Sequence, residues 1–145
     1  MKLLKTLAFA GILVLGQFIH AAADTPESLE GCKVVTAAEA KALMDKGIKM
    51  FDVRVATEFA EEHIKGAVSV PYAEKSKKEE AYDVALDSFD DTKLPASGMI
   101  FQCNGKDCWK SFKSCKWAIK KGKKDLYWFR GGIPEWKAKA LPTEK

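Results

Sequence analysis

Residues 99–111 read MIFQCNGKDCWKS, and the fold class turns on them. Met99, Ile100 and Phe101 form a short unbroken apolar run that closes at Cys103, the pattern of a strand buried on both faces. Asn104-Gly105-Lys106-Asp107-Cys108 follows as a polar loop, in which Gly105 lets the backbone turn back without a Cβ penalty. From residue 109 to residue 121 the period becomes helical. Phe112, Cys115 and Ile119 fall on one face, and Lys113, Lys116 and Lys120 on the other. A strand, a tight loop and a helix in succession form the building unit of a parallel sheet.

The flanking sequence repeats that unit. Thr36 and Glu39 form a capping box, behind which Ala40, Leu43 and Met44 share one face until Gly47 ends the helix. IKMFDV at 48–53 is a short apolar strand, 57–63 reads as one or two helical turns, and 67–70 is a small strand stopped by Pro71. Residues 74–91 are highly charged, with Tyr82, Val84, Leu86 and Phe89 as apolar contacts, and read as a loosely helical surface segment. LYWF at 126–129 is a further strand, and 134–140 a last helix with Pro134 in its first turn. Strands separated by helices predict an α/β fold, a central parallel sheet with helices on both faces. Trp117, Trp128 and Trp136 read as packing residues.

A chain of 145 residues with 47% hydrophobic and 30% charged composition fits one globular domain and excludes a disordered chain. A net charge of +4 without a concentrated basic stripe argues against nucleic acid as a partner. The lysines at 110, 113, 116, 120, 121, 123 and 124 read as the solvated face of a helix and its exit turn. No His stands near any of the four Cys, so neither a zinc set nor a haem attachment is expected, and no metal or cofactor is called for.

The amino terminus reads as an export signal. Lys2 and Lys5 precede an apolar stretch at 7–19 that is short for a membrane span and interrupted by Gln17. Ala21-Ala22-Ala23 then offers a cleavage site after Ala23. The expected organisation is a cleaved signal peptide at 1–23, an extension at 24–33, one domain at 34–142 and a tail at 143–145. Export to a bacterial periplasm, with no membrane attachment after cleavage, permits disulfides among the cysteines.

The chemistry is expected where the buried strand ends. Loop amides and a helix N-terminus favour an anion there and drive a thiol toward thiolate. Lys106 and Lys110 add positive charge at the same mouth. Cys103 is thus a candidate nucleophile holding an anionic adduct, with a buried structural cysteine as the alternative. A Cys–His pair of the protease kind is not expected, because His63 sits in a segment that reads as structural.

Three ordered motifs carry a resemblance. Phe51-Asp52-Val53-Arg54 with Glu58-Phe59, His63-Ile64-Lys65-Gly66-Ala67 and Val70-Pro71 is similar to the D-V-R…E-F…H-I-x-G-A…P signature of rhodanese-like domains. Gly131-Gly132-Ile133-Pro134-Glu135-Trp136 with Leu141-Pro142 resembles that family's closing segment, and the cysteine loop stands between the two. The resemblance implies a three-layer sandwich and sulfurtransferase chemistry, in which Cys103 takes a sulfane sulfur as a persulfide and passes it to a thiophilic acceptor. It implies a substrate cradle built from Asn104, Gly105, Lys106, Asp107, Cys108, Trp109 and Lys110. Asp52 and Arg54 are expected to brace that loop, while Glu58 and His63 serve the fold. The expected partners are a small anionic sulfur donor and a protein or small-thiol acceptor.

Two departures from the family stand out. The common loop runs C-x-x-G-x-R-S, whereas here Lys110 is the basic residue before Ser111, and Lys lacks the planar fork that grips an oxyanion. That puts a preference for thiosulfate in doubt and leaves thiosulfate, polysulfide and a protein-bound persulfide as the expected donors. The related phosphatase loops need an Arg that is missing here, so phosphate hydrolysis is not expected. The second departure is Cys108, five residues after Cys103. It either resolves a Cys103 persulfide, forms a redox switch, or merely lines the loop. A non-catalytic sulfur-carrier module and a thiol–disulfide redox protein using Cys103 and Cys108 are the alternative functions. Cys115 reads as a buried inert thiol, and Cys32 lies in a segment that reads as mobile.

Overall fold

The apolar run read at 99–103 is the middle strand of the sheet. The computed structural model describes residues 23–77 and 86–145, so the expected signal peptide lies outside the described residues except for Ala23. In chain order the strands are β1 Lys33–Val34, β2 Lys49–Asp52, β3 His63–Ile64, β4 Val68–Ser69, β5 Tyr72–Ala73, β6 Ser88–Phe89, β7 Ser97–Gln102, β8 Lys124–Phe129 and β9 Thr143–Glu144. The helices are α1 Ala37–Asp45, α2 Ala56–Glu61, α3 Trp109–Lys120 and α4 Gly132–Ala138, with one 3-10 turn at Asp91–Lys93.

Five strands form a wholly parallel sheet in the order β1-β8-β7-β2-β4. Phe51, Phe101 and Trp128 sit side by side across β2, β7 and β8. Because strand side chains alternate, each strand feeds two cores. Phe51, Met99, Phe101, Leu126 and Trp128 pack on one face with Phe112 and Cys115 of α3. Met50, Ile100 and Phe129 pack on the other with Ala37 and Ala40 of α1 and Trp136 of α4. A sheet covered on both faces needs unbroken apolar strands, which is why the run at 99–101 lacks polar alternation.

Local signals placed the ends of α1 and α3, whereas α2 stops at Glu61 with His63 already in β3, and α4 lies two residues earlier than the expected 134–140. Thr36 accepts from the Glu39 amide while Glu39 accepts from the Thr36 amide, the expected reciprocal cap, and Gly47 leaves α1 at a φ of +90°. Val55 caps α2 without a side-chain bond, and α3 begins at Trp109.

The charged stretch at 74–91 departs from the sequence reading. Within it Ser88–Phe89 forms β6, antiparallel to β5 just before the stretch, where a loosely helical segment was expected. Tyr82 and Val84 lie outside the described residues. Asp87 is buried at the centre of this segment. It accepts from the Tyr72 hydroxyl (2.8 Å), the amides of Lys75 (2.8 Å) and Ser76 (2.7 Å), and the Ser76 hydroxyl (2.7 Å). Burial alone raises its carboxyl, but the bonds from Ser76, Lys75 and Tyr72 outweigh that and hold it well below the ordinary range.

Lys113 is the second departure. Expected on the solvated face of α3, it is 0% exposed. Its Nζ lies 2.6 Å from Glu74 Oε1 and donates to Ser76 Oγ (2.9 Å) and the Lys77 carbonyl (2.8 Å). The segment after β5 folds across this side of α3, so the helix is covered where its periodicity predicted solvent.

A carboxyl whose folded pKa is depressed stabilises the fold above its unfolded value, and that contribution fades as pH falls toward the folded value. Asp87→Asn should therefore be less stable than wild type at pH 7. The gap in denaturation midpoint should narrow as pH drops below 3.8, the ordinary value for this group. Urea melts between pH 3 and pH 7 check this, and a gap that is constant across the range contradicts the assignment.

Candidate active site

β7 carries the chain to the carboxyl edge of the sheet, where Cys103 leaves the strand buried at 1% exposure. Cys108, half-buried at the far end of the loop, is bonded to it: a disulfide joins the pair, with Cα atoms 6.2 Å apart. Between them Gly105 adopts a φ of +119° and the Cys108 amide donates to the Gly105 carbonyl (3.0 Å), closing a turn. That amide is spent inside the loop and is not part of an anion cradle. Helix α3 starts directly after Cys108 with no side-chain cap, so the open amides of its first turn and the positive end of its dipole adjoin the second cysteine of the loop.

The loop is held from behind by a glycine turn. Ile133 N–H is shared between the Cys103 carbonyl (3.1 Å) and Gln102 Oε1 (3.1 Å). Gly132, at φ +58°, presses so close that a Cβ there would sit 2.1 Å from the Cys103 carbonyl oxygen and 2.9 Å from the Gly105 nitrogen. Only glycine fits both the backbone angle and the gap.

It is held from the front by the amino-terminal segment. Thr25, buried, donates from its amide (2.7 Å) and its hydroxyl (2.6 Å) to the Lys106 carbonyl. Arg130, just past β8, donates from Nε to the Thr25 hydroxyl (3.1 Å) and from Nη2 to the Thr25 carbonyl (2.6 Å). Trp109 Nε1 donates to the Ala23 carbonyl (3.0 Å), and Lys106 pairs with Asp24 (3.0 Å). The stretch expected to be a mere extension is thus a strap over the loop.

The expected cradle residues do gather. Asn104, Asp107, Cys108, Trp109 and Lys110, with Glu74, line a cleft of about 350 Å³ over the Cys108 side of the loop. Asn104, Gly105, Lys106 and Asp107 also line a second cleft of about 560 Å³, shared with Arg130 and Glu135. Asp52 and Arg54 behave differently from expectation. Arg54 grips both Asp52 oxygens (Nε 3.0 Å to each, Nη2 2.6 Å to Oδ2) and donates to the Glu62 carbonyl (2.8 Å). Among the described residues none of these bonds reaches the loop. The pair instead ties the end of β2 to the chain after α2. The side chain that does reach the loop is Glu58, which accepts from Asn104 Nδ2 (2.6 Å). His63 shares a bond with the Phe59 carbonyl (2.8 Å) and stacks on the Phe59 ring, away from the cysteines.

Thr25, Arg130 and Glu74 had escaped the sequence reading. Thr25 meets Arg130 across 105 residues of chain, and no local pattern marks such a contact. Among the described residues, no group of three or more His, Cys, Asp and Glu is placed to hold a metal ion.

Gly132→Ala combines a positive φ with a backbone collision, and should cost about 3 kcal/mol of stability. Urea denaturation of the two proteins measures it, and a loss under about 0.5 kcal/mol would mean the turn does not bear on the Cys103 carbonyl.

Comparison with known proteins agrees with this architecture. The family model for the rhodanese-like domain matches residues 36–139. Among curated proteins none matches the chain significantly. Of solved structures, the BH2092 protein of Bacillus halodurans is 24% identical with a TM-score of 0.58, covering 79% of this chain and 77% of that one. The rhodanese-like domain of the Alr3790 protein from Anabaena sp. is 22% identical, with a TM-score of 0.53 and 80% of each chain covered. A thiosulfate sulfurtransferase from Pseudomonas aeruginosa is 20% identical, with a TM-score of 0.55. The match covers 78% of this chain and 20% of that larger protein. At these identities the structural matches show a shared fold, while the family model spans most of the sequence. With its parallel sheet, its cysteine loop after the central strand and its glycine turn behind that loop, the chain belongs to the rhodanese-like domain family.

Proposed function

We propose that this protein is an exported sulfurtransferase in which Cys103 carries sulfane sulfur as a persulfide and Cys108 is its resolving thiol. The observation that carries the reading is the Cys103–Cys108 disulfide at the carboxyl end of the central strand, in front of an uncapped helix N-terminus. A thiolate and a persulfide anion are both favoured there, by the same amides and dipole.

The cycle balances without any added oxidant. A dithiol first reduces the disulfide, delivering two electrons and two protons. The Cys103 thiolate then attacks a terminal sulfur of a polysulfide, forming Cys103–S–S⁻ and expelling the polysulfide one atom shorter. The outer sulfur passes to an acceptor thiolate, which becomes a persulfide while Cys103 returns to thiolate. Alternatively Cys108 attacks the inner sulfur, its proton leaves with the outer sulfur as hydrosulfide, and the disulfide reforms.

The cleft also supports a choice of donor. Thiosulfate leaves as sulfite, whose oxyanion head calls for a forked arginine. Here the cleft beside Cys108 is lined by Lys110 with Glu74 and Asp107 and by no arginine. Polysulfide, or the persulfide of a small thiol or protein, has no such head and suits this mouth better. A second reading, a thiol–disulfide redox protein, is favoured by the same disulfide and separates from the first by whether sulfur is ever bound.

Intact mass of the reduced protein, before and after brief exposure to polysulfide or thiosulfate, distinguishes them. Wild type and Cys108→Ser should each gain one sulfur from polysulfide, and more slowly from thiosulfate, and Cys103→Ser none. Wild type should then lose its sulfur as hydrosulfide while Cys108→Ser keeps it. No added sulfur in Cys108→Ser, where no resolving thiol can remove it, with a two-hydrogen loss in wild type that needs both cysteines, sinks sulfur transfer and leaves the redox protein.

A further inference from the structure

The remaining two cysteines are not independent. Cys32 and Cys115 Sγ atoms lie 2.7 Å apart, inside the roughly 3.5–4.0 Å at which nonbonded heavy atoms settle. Both are buried, Cys115 fully and Cys32 at 4% exposure, so neither reads as a mobile or isolated thiol. Their approach is built by several elements. Cys115 projects from the middle of α3 into the core that also holds Cys32. Cys32 is fixed by a turn in which its amide donates to the Leu29 carbonyl (3.1 Å), next to Gly31 at φ +83°. A Cβ on Gly31 would stand 3.2 Å from Ile119, one helical turn after Cys115, so glycine lets the segment lie close against the helix. Burial, and then the neighbouring Cys32, push the Cys115 thiol well above its usual range. As free thiols the two are crowded, and a bond between them removes the crowding.

We propose that Cys32 and Cys115 form a second disulfide, a structural staple distinct from the reactive pair in the loop. In its formation each thiol gives up a proton and the pair gives up two electrons to an incoming disulfide of the glutathione or thiol-oxidase class, which is reduced to two thiols. The staple closes across 83 residues and joins the amino-terminal segment to the helix that starts at the cysteine loop. That segment is the strap whose Thr25 grips Lys106 and Arg130. The staple therefore fixes the strap to the same helix whose first turn it covers, and holds it while the loop disulfide opens. Exposure separates the two pairs: Cys108 is only half-buried, whereas Cys32 and Cys115 are both buried in the core.

The test uses the full protein equilibrated with a glutathione redox couple, then denatured, alkylated without reduction and digested. All four cysteines should escape alkylation, with one linked peptide pair containing Cys32 and Cys115. Brief treatment of the native oxidised protein with a mild phosphine should expose Cys103 and Cys108 alone. The double variant Cys32→Ser, Cys115→Ser should melt on the order of 10 °C lower under oxidising conditions, and this difference should shrink in strong reductant. Alkylated Cys32 or Cys115 in the unreduced digest, or their appearance in a pairing with Cys103 or Cys108, overturns the proposal. So does a double variant that melts like wild type. None of these readouts depends on turnover, so failure here leaves the sulfur-transfer reading standing.

Discussion

The carbonyl of Cys103 is where two distant parts of the chain are locked together. It is the first acceptor beyond β7, and it is taken by the amide of Ile133, thirty residues on, across a gap that Gly132 alone can fill. This fixes the direction in which the chain leaves the central strand. It also fixes the start of α4, and through α4 the first helix. Glu135, in the first turn of α4, accepts from the Ala37 amide (2.8 Å), one of the open donors at the start of α1. The end of β7, the glycine turn, α4 and α1 are therefore one connected assembly. A displacement of the turn would be felt at the reactive sulfur on one side and at a helix cap on the other.

The outer wall of the loop is made differently, from polar contacts of high sequence separation. A buried Thr25 whose amide, hydroxyl and carbonyl are all bonded carries no desolvation cost left uncompensated. The Lys106 carbonyl that it binds is held in place by both donors, and the loop with it. Lys113 and Glu74 do a comparable task on the cleft side. A buried ion pair is poor evidence of added stability, because desolvation consumes much of the attraction. Its consequence is positional: with Ser76 and Lys77 bonded to the same ammonium, the 74–77 segment has one place to lie, and Glu74 becomes a wall of the cleft.

These contacts mark the limit of what the sequence discloses. Unbroken apolar runs, helical periodicity and the capping box are local, and they identified the parallel α/β layers, α1 and α3. The cysteine loop followed from the strand-to-helix transition, and the glycine turn from a motif. Lys113 was misplaced because helical periodicity assigns a face but not what lies over it, and the covering segment comes from charged sequence with no apolar signal of its own. Cys32 and Thr25 were misjudged for a related reason. Each is fixed by partners more than 80 residues away, in a stretch too short and irregular to carry a period. Asp52 and Arg54 were given the wrong neighbour: two residues apart at a strand end, they satisfy each other, and the reach to the loop falls to Glu58.

The unequal burial of the two loop sulfurs bears on the order of events in the proposed cycle. Cys103 is almost wholly enclosed, while Cys108 borders the cleft. A reducing thiolate arriving from solvent therefore meets Cys108 first, forming the mixed disulfide there and expelling Cys103 as the leaving group. Exchange runs fastest when the departing thiol is the better stabilised as thiolate, and Cys103 departs into the loop at the head of α3. The step that opens the disulfide thus generates the sulfur acceptor already charged, in the position from which it attacks. The same geometry protects it afterwards. Once the donor is exhausted, Cys108 is the nearest thiol to the persulfide, and closure of the disulfide shields the nucleophile from the irreversible oxidation that an exposed thiolate invites.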